Sequence, residues 1–294
     1  MGARRAGRQR RRGRVTDVPN LDCDQPRQPI VIKQWAFTWL PRPATAISAS
    51  RGRRRSHRFV RQWGLHDLNK RLLAERGNRV IGGPFAGLVL TDLSHCEHIG
   101  PYLLGTYEME LHAIWAEVPK RPFKQIVDVR ASFGYYAVGL ARRFPAVPVI
   151  AFDTDWWARR AVRQMAAANR TPNVSVKGFC DPAWMASHLK PNALIVVDCE
   201  GHEGRLLCER PLPACSTATL VIELHEEFVP GVTARIRAAF ERTHSFAEIN
   251  SRDTTAVKLQ DSGLTFDELR RVSQEVRGPQ KWFVLTPLET PAER

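Results

Sequence analysis

Residues Ile126 to Asp155, IVDVRASFGYYAVGLARRFPAVPVIAFDTD, constrain the fold more than any other stretch of the chain. Ile126, Val127 and Val129 read as a buried strand and Arg130 to Gly134 as a tight turn. Tyr135 to Phe144 reads as a helix, and Val147 to Phe152 as a second strand that runs into acids. Short apolar runs on either side of a 3.6-period helix are the pattern of a parallel sheet. In such sheets a ligand lies beyond the carboxyl ends of the strands, so Asp128 to Gly134 and Asp153 mark a nucleotide-type candidate site.

The 294 residues suit one large domain or a domain with an extension, and 43% hydrophobic residues suffice for a packed core. A net charge of +14 suggests nucleic acid until it is located along the chain. Met1–Arg14 carries seven Arg and Arg51–Arg61 carries six, neither with an acid; the other 31 basic residues face 30 acids. The body therefore sums to near neutral. The two basic segments read first as a solvated arm and a basic loop, with electrostatic attachment to nucleic acid possible through the Arg-rich tail but not favoured. No aromatic residue interleaves Met1–Arg14, so base stacking has no support there. The tail lacks an apolar h-region, position 6 is Ala where myristoylation needs Ser or Thr, and no apolar run nears the roughly 18 residues of a membrane span. The expectation is a soluble, cytoplasmic protein with no membrane insertion. Six cysteines without a CxxC pair or zinc spacing fit a reducing compartment and predict no structural metal.

Three regions are expected: a disordered basic tail over 1–20, an N-terminal extension and helical cap over 21–118, and an α/β domain over 119–294. Arg58 to Arg76 reads as a helix stopped by Gly77. Ile81 to Leu90, IGGPFAGLVL, reads as a glycine-rich turn into a short strand; with no GK[ST] it is weak support for a phosphate loop. A helix is expected from Thr106, which puts Glu108 and His112 on one face. Beyond the opening unit, strands are expected at Val174–Val176, Ala193–Val197, Thr219–Leu224, Phe246–Ile249 and Lys281–Leu285. The helices between them fall at Trp157–Asn169, Ala183–Leu189, Glu203–Glu209, Val232–Arg242 and Phe266–Val276. Seven strands alternating with helices predict an α/β three-layer sandwich with a mostly parallel sheet.

One edge of that sheet gathers Asp128, Asp153, the Gly178–Asp181 turn, Asp198 with Glu200, and Glu223 with His225. Acids at the ends of the first two strands suit a ligand with a cationic amine and a ribose diol, because carboxylates accept from paired hydroxyls and attract an ammonium. A nicotinamide dinucleotide would instead need GxGxxG at the first turn, and here the turn is RxSxGY.

The Asp128-to-Gly134 spacing, the 25-residue step to Asp153 and the strand order resemble class I S-adenosylmethionine-dependent methyltransferases, with their Rossmann-like fold. Finer motifs resemble a bacterial branch near the FkbM-like group. They are GPFAG (Gly83–Gly87), LLGTYEMELH (Leu103–His112), GYYAVGLARR (Gly134–Arg143), AFDTD (Ala151–Asp155), DCEGHE (Asp198–Glu203) and IELHE (Ile222–Glu226). The resemblance covers roughly residues 80 to 290. It implies S-adenosyl-L-methionine as cofactor, with Asp128, Arg130, Ala131, Gly134 and Tyr135 around its methionine part and Asp153 with Thr154 at the ribose. Phe179 and Cys180 would lie by the adenine, and Asp198 between cofactor and acceptor. Asp198, Glu200 and His225 are the implied catalytic candidates, and no catalytic metal is expected.

The chain departs from the family at two positions: Arg130 stands where a glycine is usual, and Phe133 where a polar residue is common. Glycine serves there because the backbone approaches the ligand or takes a positive φ. Three functions stay open. The first is methyl transfer to a hydroxyl oxygen of a small molecule or glycan; the second is a cofactor-binding pseudoenzyme impaired by Arg130. The third is a nucleic-acid-modifying methyltransferase that grips through the basic N-terminal arm.

Overall fold

The computed structural model describes residues 60, 64–91, 98–209, 212–251, 263–275 and 278–288. The expected basic tail and, apart from Val60, the Arg51–Arg61 segment lie outside the described residues. Strands β1 (Gln125–Val129), β2 (Val149–Phe152), β3 (Val174–Lys177), β4 (Ala193–Val197), β5 (Thr219–Glu223), β6 (His244–Asn250) and β7 (Lys281–Pro287) form one sheet in the order β3-β2-β1-β4-β5-β7-β6. The first five pair in parallel, and β7 runs antiparallel to both β5 and β6. This is the seven-stranded, Rossmann-like α/β sandwich that the alternating pattern predicts.

The inner strands β1, β2, β4 and β5 are buried at every position because both faces of a parallel sheet are covered, whereas the edge strands β3 and β6 are partly exposed. Alternate residues go to opposite layers, as the period of two requires. Ile126, Val149, Ala151, Leu194 and Val196 point into one core; Val127, Val129, Ile150, Ile195 and Val197 point into the other. The first layer holds α4 (Tyr135–Arg143), α5 (Trp156–Ala168) and α9 (Phe266–Val272). It also takes the N-terminal helices α1 (Leu65–Arg76), α2 (Gly100–Leu104) and α3 (His112–Glu117). The second layer holds α6 (Pro182–His188), α7 (Glu203–Cys208) and α8 (Val232–Phe240). Among the described residues Cys180, Cys199, Cys208 and Cys215 are free thiols, and no helix is long and apolar enough to cross a membrane.

The N-terminal layer departs from the periodicity reading. Glu108 has φ 47° and cannot be helical, so the helix expected from Thr106 is replaced by a 3₁₀ turn at Met109–Leu111 followed by α3. Glu108 and His112 therefore share no helical face. The left-handed Gly64 bounds α1 at Leu65; Val60 ahead of it is also helical, and the rest of the expected start from Arg58 lies outside the described residues. The expected strand in Ile81–Leu90 is a single bridge, Arg79 to Val89. The GPFAG stretch has a packing role. Phe85, 3% exposed, lies edge-on to Tyr135 and Tyr136 and close to Trp115. A Cβ on Gly139, in the middle of α4, would sit 2.5 Å from that ring. Helix propensity alone favours alanine there by about 1 kcal/mol, but overpacking a filled core costs about 1–3 kcal/mol, so glycine wins.

Candidate active site

The strand order reverses between β1 and β4: the chain leaves β1 toward β2 and β3, then returns to β4 on the other side. Such a switch point opens a crevice at the carboxyl edge, because the connections diverge there. The turn after β1 is fixed by Arg130 and Ala131, whose N–H groups both donate to the Phe152 carbonyl at 2.8 and 2.9 Å. Arg130, Ser132 and Gly134 take positive φ of 71°, 51° and 102°. Among the described residues six non-glycine positions take positive φ, and three of them, Arg130, Ser132 and Glu200, lie in the turns that follow β1 and β4 at this crevice. Each such residue stores about 1–3 kcal/mol of strain, which persists where the surroundings demand the geometry.

Asp153 holds the turn. Its Oδ2 accepts the Ser132 N–H at 2.9 Å and its Oδ1 the Asp155 N–H at 2.9 Å, which leaves each oxygen a second lone pair for a hydroxyl. Burial raises its pKa, and the two N–H bonds with the charge of Arg130 partly offset the rise. Asp128 is 3% exposed, with Oδ2 buried and without a hydrogen-bond partner. Burial, then the charges of Asp198 and Asp153, push its pKa up to about 7.

Across the switch point the chemistry differs. His225, just beyond β5, is 5% exposed, and its Nδ1 lies 2.8 Å from Oε1 of the fully buried Glu203. The same Glu203 oxygen accepts the N–H groups of Cys199 and Gly201 at 3.2 and 3.1 Å, which ties the β4 turn to the imidazole. A carboxylate on Nδ1 fixes the tautomer that donates there and leaves Nε2 bare toward Asp198 Oδ1, 3.6 Å away. Burial lowers the His225 pKa, but Glu203, then Asp198 and Glu200, raise it further, to a net value above the ordinary one.

Arg130 joins the two sides. Its guanidinium lies 3.1 Å from Asp198 Oδ2 and 2.8 Å from Glu200 Oε1. The side chain thus leaves the turn and bridges the acids that end β4. Asp198, Glu200 and His225 each present a ligand atom within 4.8 Å of the others, a spacing suited to a divalent ion, but the guanidinium engages two of the three. Asp128, Asp153, Asp198, Glu200, Glu203 and Glu223 gather near Arg130 or Asp128 or around His225, so the crevice favours a ligand of positive charge.

The predicted site residues divide accordingly. Asp128, Arg130, Gly134 and Asp153 line the β1–β2 side, with Thr154 exposed beside them. Asp198, Glu200 and His225 come together on the β4–β5 side. Ala131 and Tyr135 are buried. Tyr135 packs edge-on to Phe85, Tyr102 and Tyr107, and burial, with the charges of Glu108 and Glu275, holds its phenol well above the usual range. Phe179 is 57% exposed beside His202, whereas Cys180 is buried and burial pushes its thiol up to about 12. His112 bonds the Tyr107 carbonyl at 3.2 Å in the N-terminal layer. No spacing in the sequence marks Glu203 as a catalytic-side group or pairs Glu108 with Tyr136, whose hydroxyl donates to it.

The chain matches no protein-family model, and no curated protein matches it in sequence. Solved structures with a similar arrangement include a precorrin-6y C5,15-methyltransferase from Geobacter metallireducens GS-15, at 11% identity over 59% of this chain and 87% of that one, TM-score 0.40. A putative O-methyltransferase from Klebsiella pneumoniae aligns at 12% identity over 62% and 80%, TM-score 0.41. An rRNA methylase from Streptococcus thermophilus aligns at 12% identity over 61% and 97%, TM-score 0.42. The FkbM-like branch rests on the sequence motifs alone.

Proposed function

We propose that the protein transfers a methyl group from S-adenosylmethionine to a hydroxyl oxygen, with His225 taking the proton. The observation that carries this reading is the Glu203–His225 hydrogen bond placed across the switch point from the Asp128–Asp153 turn. The residues fit the cofactor: the surplus of carboxylates suits its ammonium and sulfonium, and Asp153 keeps lone pairs for a diol. Bound there, S-adenosylmethionine supplies an electrophilic methyl group and needs chiefly alignment.

The chain's own residues supply the rest. Asp128 and Asp153 hold the ligand's polar groups at the β1–β2 side. Arg130 holds Asp198 and Glu200 in place through its two ion pairs, so that they line the acceptor side. His225 Nε2 accepts the hydroxyl proton as the new bond to oxygen forms, and Glu203 Oε1 steadies the imidazolium through Nδ1. Arg130 also argues for turnover over impairment. Its backbone already adopts the left-handed conformation that glycine would supply, and its side chain is turned onto the acids. A hydroxyl of a small molecule or glycan is the acceptor the motifs suggest.

Calorimetric titration with S-adenosylmethionine tests the reading on the intact chain. One cofactor per chain is expected for the wild type and for Arg130→Gly. No heat with either variant, or with S-adenosylhomocysteine, sinks it.

A further inference from the structure

The near-zero charge of the body conceals a segregation. Residues 156–180 carry Arg159, Arg160, Arg163, Arg170 and Lys177 and no acid, whereas residues 198–227 carry seven acids against Arg205 and Arg210. On α5, Trp156, Arg160, Arg163 and Ala167 follow at steps of four, three and four, so they form one stripe, opposite the buried Ala161, Val162, Met165 and Ala166. Arg170 continues the stripe past the helix end, and Lys177 is exposed on β3, which is the edge of the sheet.

Several other surface cations sit beside acids: Arg71 with Glu268, Arg205 with Glu209, Arg237 with Glu248, Arg271 with Asp267. Among the described residues no carboxylate pairs with Arg160, Arg163, Arg170 or Lys177, and the four cluster on one face, which makes it a continuous positive strip. Trp156 and Trp157 are 52% and 42% exposed and stacked at 3.9 Å, and the Arg160 guanidinium lies 5.8 Å from the Trp157 ring. Between α5 and β3 runs a groove of about 300 Å³ with Arg163 and Arg170 at its walls and Pro172, Val174 and Val176 among its apolar lining.

We propose that this face binds a single-stranded polynucleotide, whose phosphates lie along the arginine stripe and whose bases stack on Trp156 and Trp157 or enter the groove. Every base offers a π-face, and phosphates follow a line of cations, so the combination suits unpaired strands. A bilayer would bury little here: interfacial binding scales with apolar area, and apart from the tryptophans at one end the stripe is cationic and borders a concave groove. At about 1.5 Å per residue, α5 spans roughly 20 Å and ends at the tryptophans next to Asp153, so the track leads to the carboxyl edge. The inference concerns binding alone and does not rest on the methyl-transfer reading.

Fluorescence anisotropy of a labelled 15-nucleotide single-stranded RNA, with the full chain, a salt series and no cofactor, tests it. The Arg163→Glu, Arg170→Glu double variant is expected to bind at least about tenfold more weakly and to lower the salt slope by about two. Trp156→Ala is expected to cost about tenfold with the slope unchanged. Circular dichroism and S-adenosylmethionine titration establish that each variant is folded, and they keep failure of this face distinct from failure of the cofactor site. Wild-type affinity in both variants overturns the proposal. So does a duplex bound as tightly as the single strand, or equal variant sensitivity toward phosphatidylserine vesicles.

Discussion

The two sides of the crevice use carboxylates differently. On the β1–β2 side Asp153 is committed to backbone N–H groups, and Asp128 sits buried with its pKa near 7. On the β4–β5 side Asp198, Glu200 and Glu203 pair with side chains that are themselves charged or titratable, Arg130 and His225. Groups fixed to the backbone hold a ligand in register; groups coupled to one another can move a proton. On the proposed reading one side binds and the other carries the chemistry, and that division makes separable predictions.

The largest effect belongs to the β4–β5 side. His225→Ala should lower methyl transfer by about 10²- to 10⁴-fold, the range for a lost general base, with cofactor affinity within about twofold of wild type. Because the His225 pKa is raised, the base form accumulates only above its ordinary value near 6.5, so kcat/KM should climb with pH through a limb above that point. Glu203 is the main cause of the rise. Glu203→Gln should therefore move the limb to lower pH as it lowers the rate. A limb that stays put in Glu203→Gln breaks the assignment of the base.

The β1–β2 side should show the opposite split. Asp153→Ala removes the acceptor of the Ser132 N–H and the lone pairs offered to a diol, so cofactor affinity should fall about 10- to 100-fold, as charged hydrogen bonds are worth about 1.5–3 kcal/mol. The rate at saturating cofactor should change little, and the pH limb not at all. Titration calorimetry with a pH–rate series separates the outcomes. Asp128→Asn acts on stability. A folded pKa raised from 3.8 to about 7 means the native state resists ionisation, a cost that grows as pH rises from 4 to 7. The isosteric amide removes that cost, so denaturant unfolding should show a gain on the order of 1–3 kcal/mol at pH 8 and a smaller one at pH 5.

Much of this contrast is legible in the residues. Continuous apolar runs such as ALIVV at Ala193–Val197 announce strands covered on both faces, and the acids that follow each strand mark the edge. Asp128, Gly134, Asp153, Asp198, Glu200 and His225 fall on that edge as the alternation requires. Glu203 was hidden because a glutamate at the start of a helix normally faces water near the dipole, and only the β4–β5 neighbourship turns it onto His225. Glu108 was misplaced because its left-handed backbone interrupts an otherwise helical pattern. The basic face does not register in the net charge of the body, because the acids of 198–227 offset it. A window over 156–180 with the four-three-four spacing would have found it.

Arg130 belongs to both sides, with its backbone in the β1 turn and its guanidinium on the β4 acids. Arg130→Gly relieves a left-handed non-glycine residue, worth about 1–2 kcal/mol, and gives up two partly exposed ion pairs, worth about 0–1 kcal/mol each. The terms nearly cancel, so stability should stay within about 1 kcal/mol of wild type. The electrostatic consequence does not cancel. Without the guanidinium, Asp198, Glu200 and His225 still stand within 4.8 Å of one another, with Glu203 holding the far nitrogen of the imidazole as carboxylates do behind metal-bound histidines. Arg130→Gly should then bind Mn²⁺ through these three ligands where the wild type binds it at least about tenfold more weakly, as read by electron paramagnetic resonance of the free ion, and His225→Ala in the same background should abolish the gain. Equal Mn²⁺ affinity in wild type and Arg130→Gly would mean that the guanidinium does not act as the cation of the β4–β5 side, and the two sides would have to be joined by some other group.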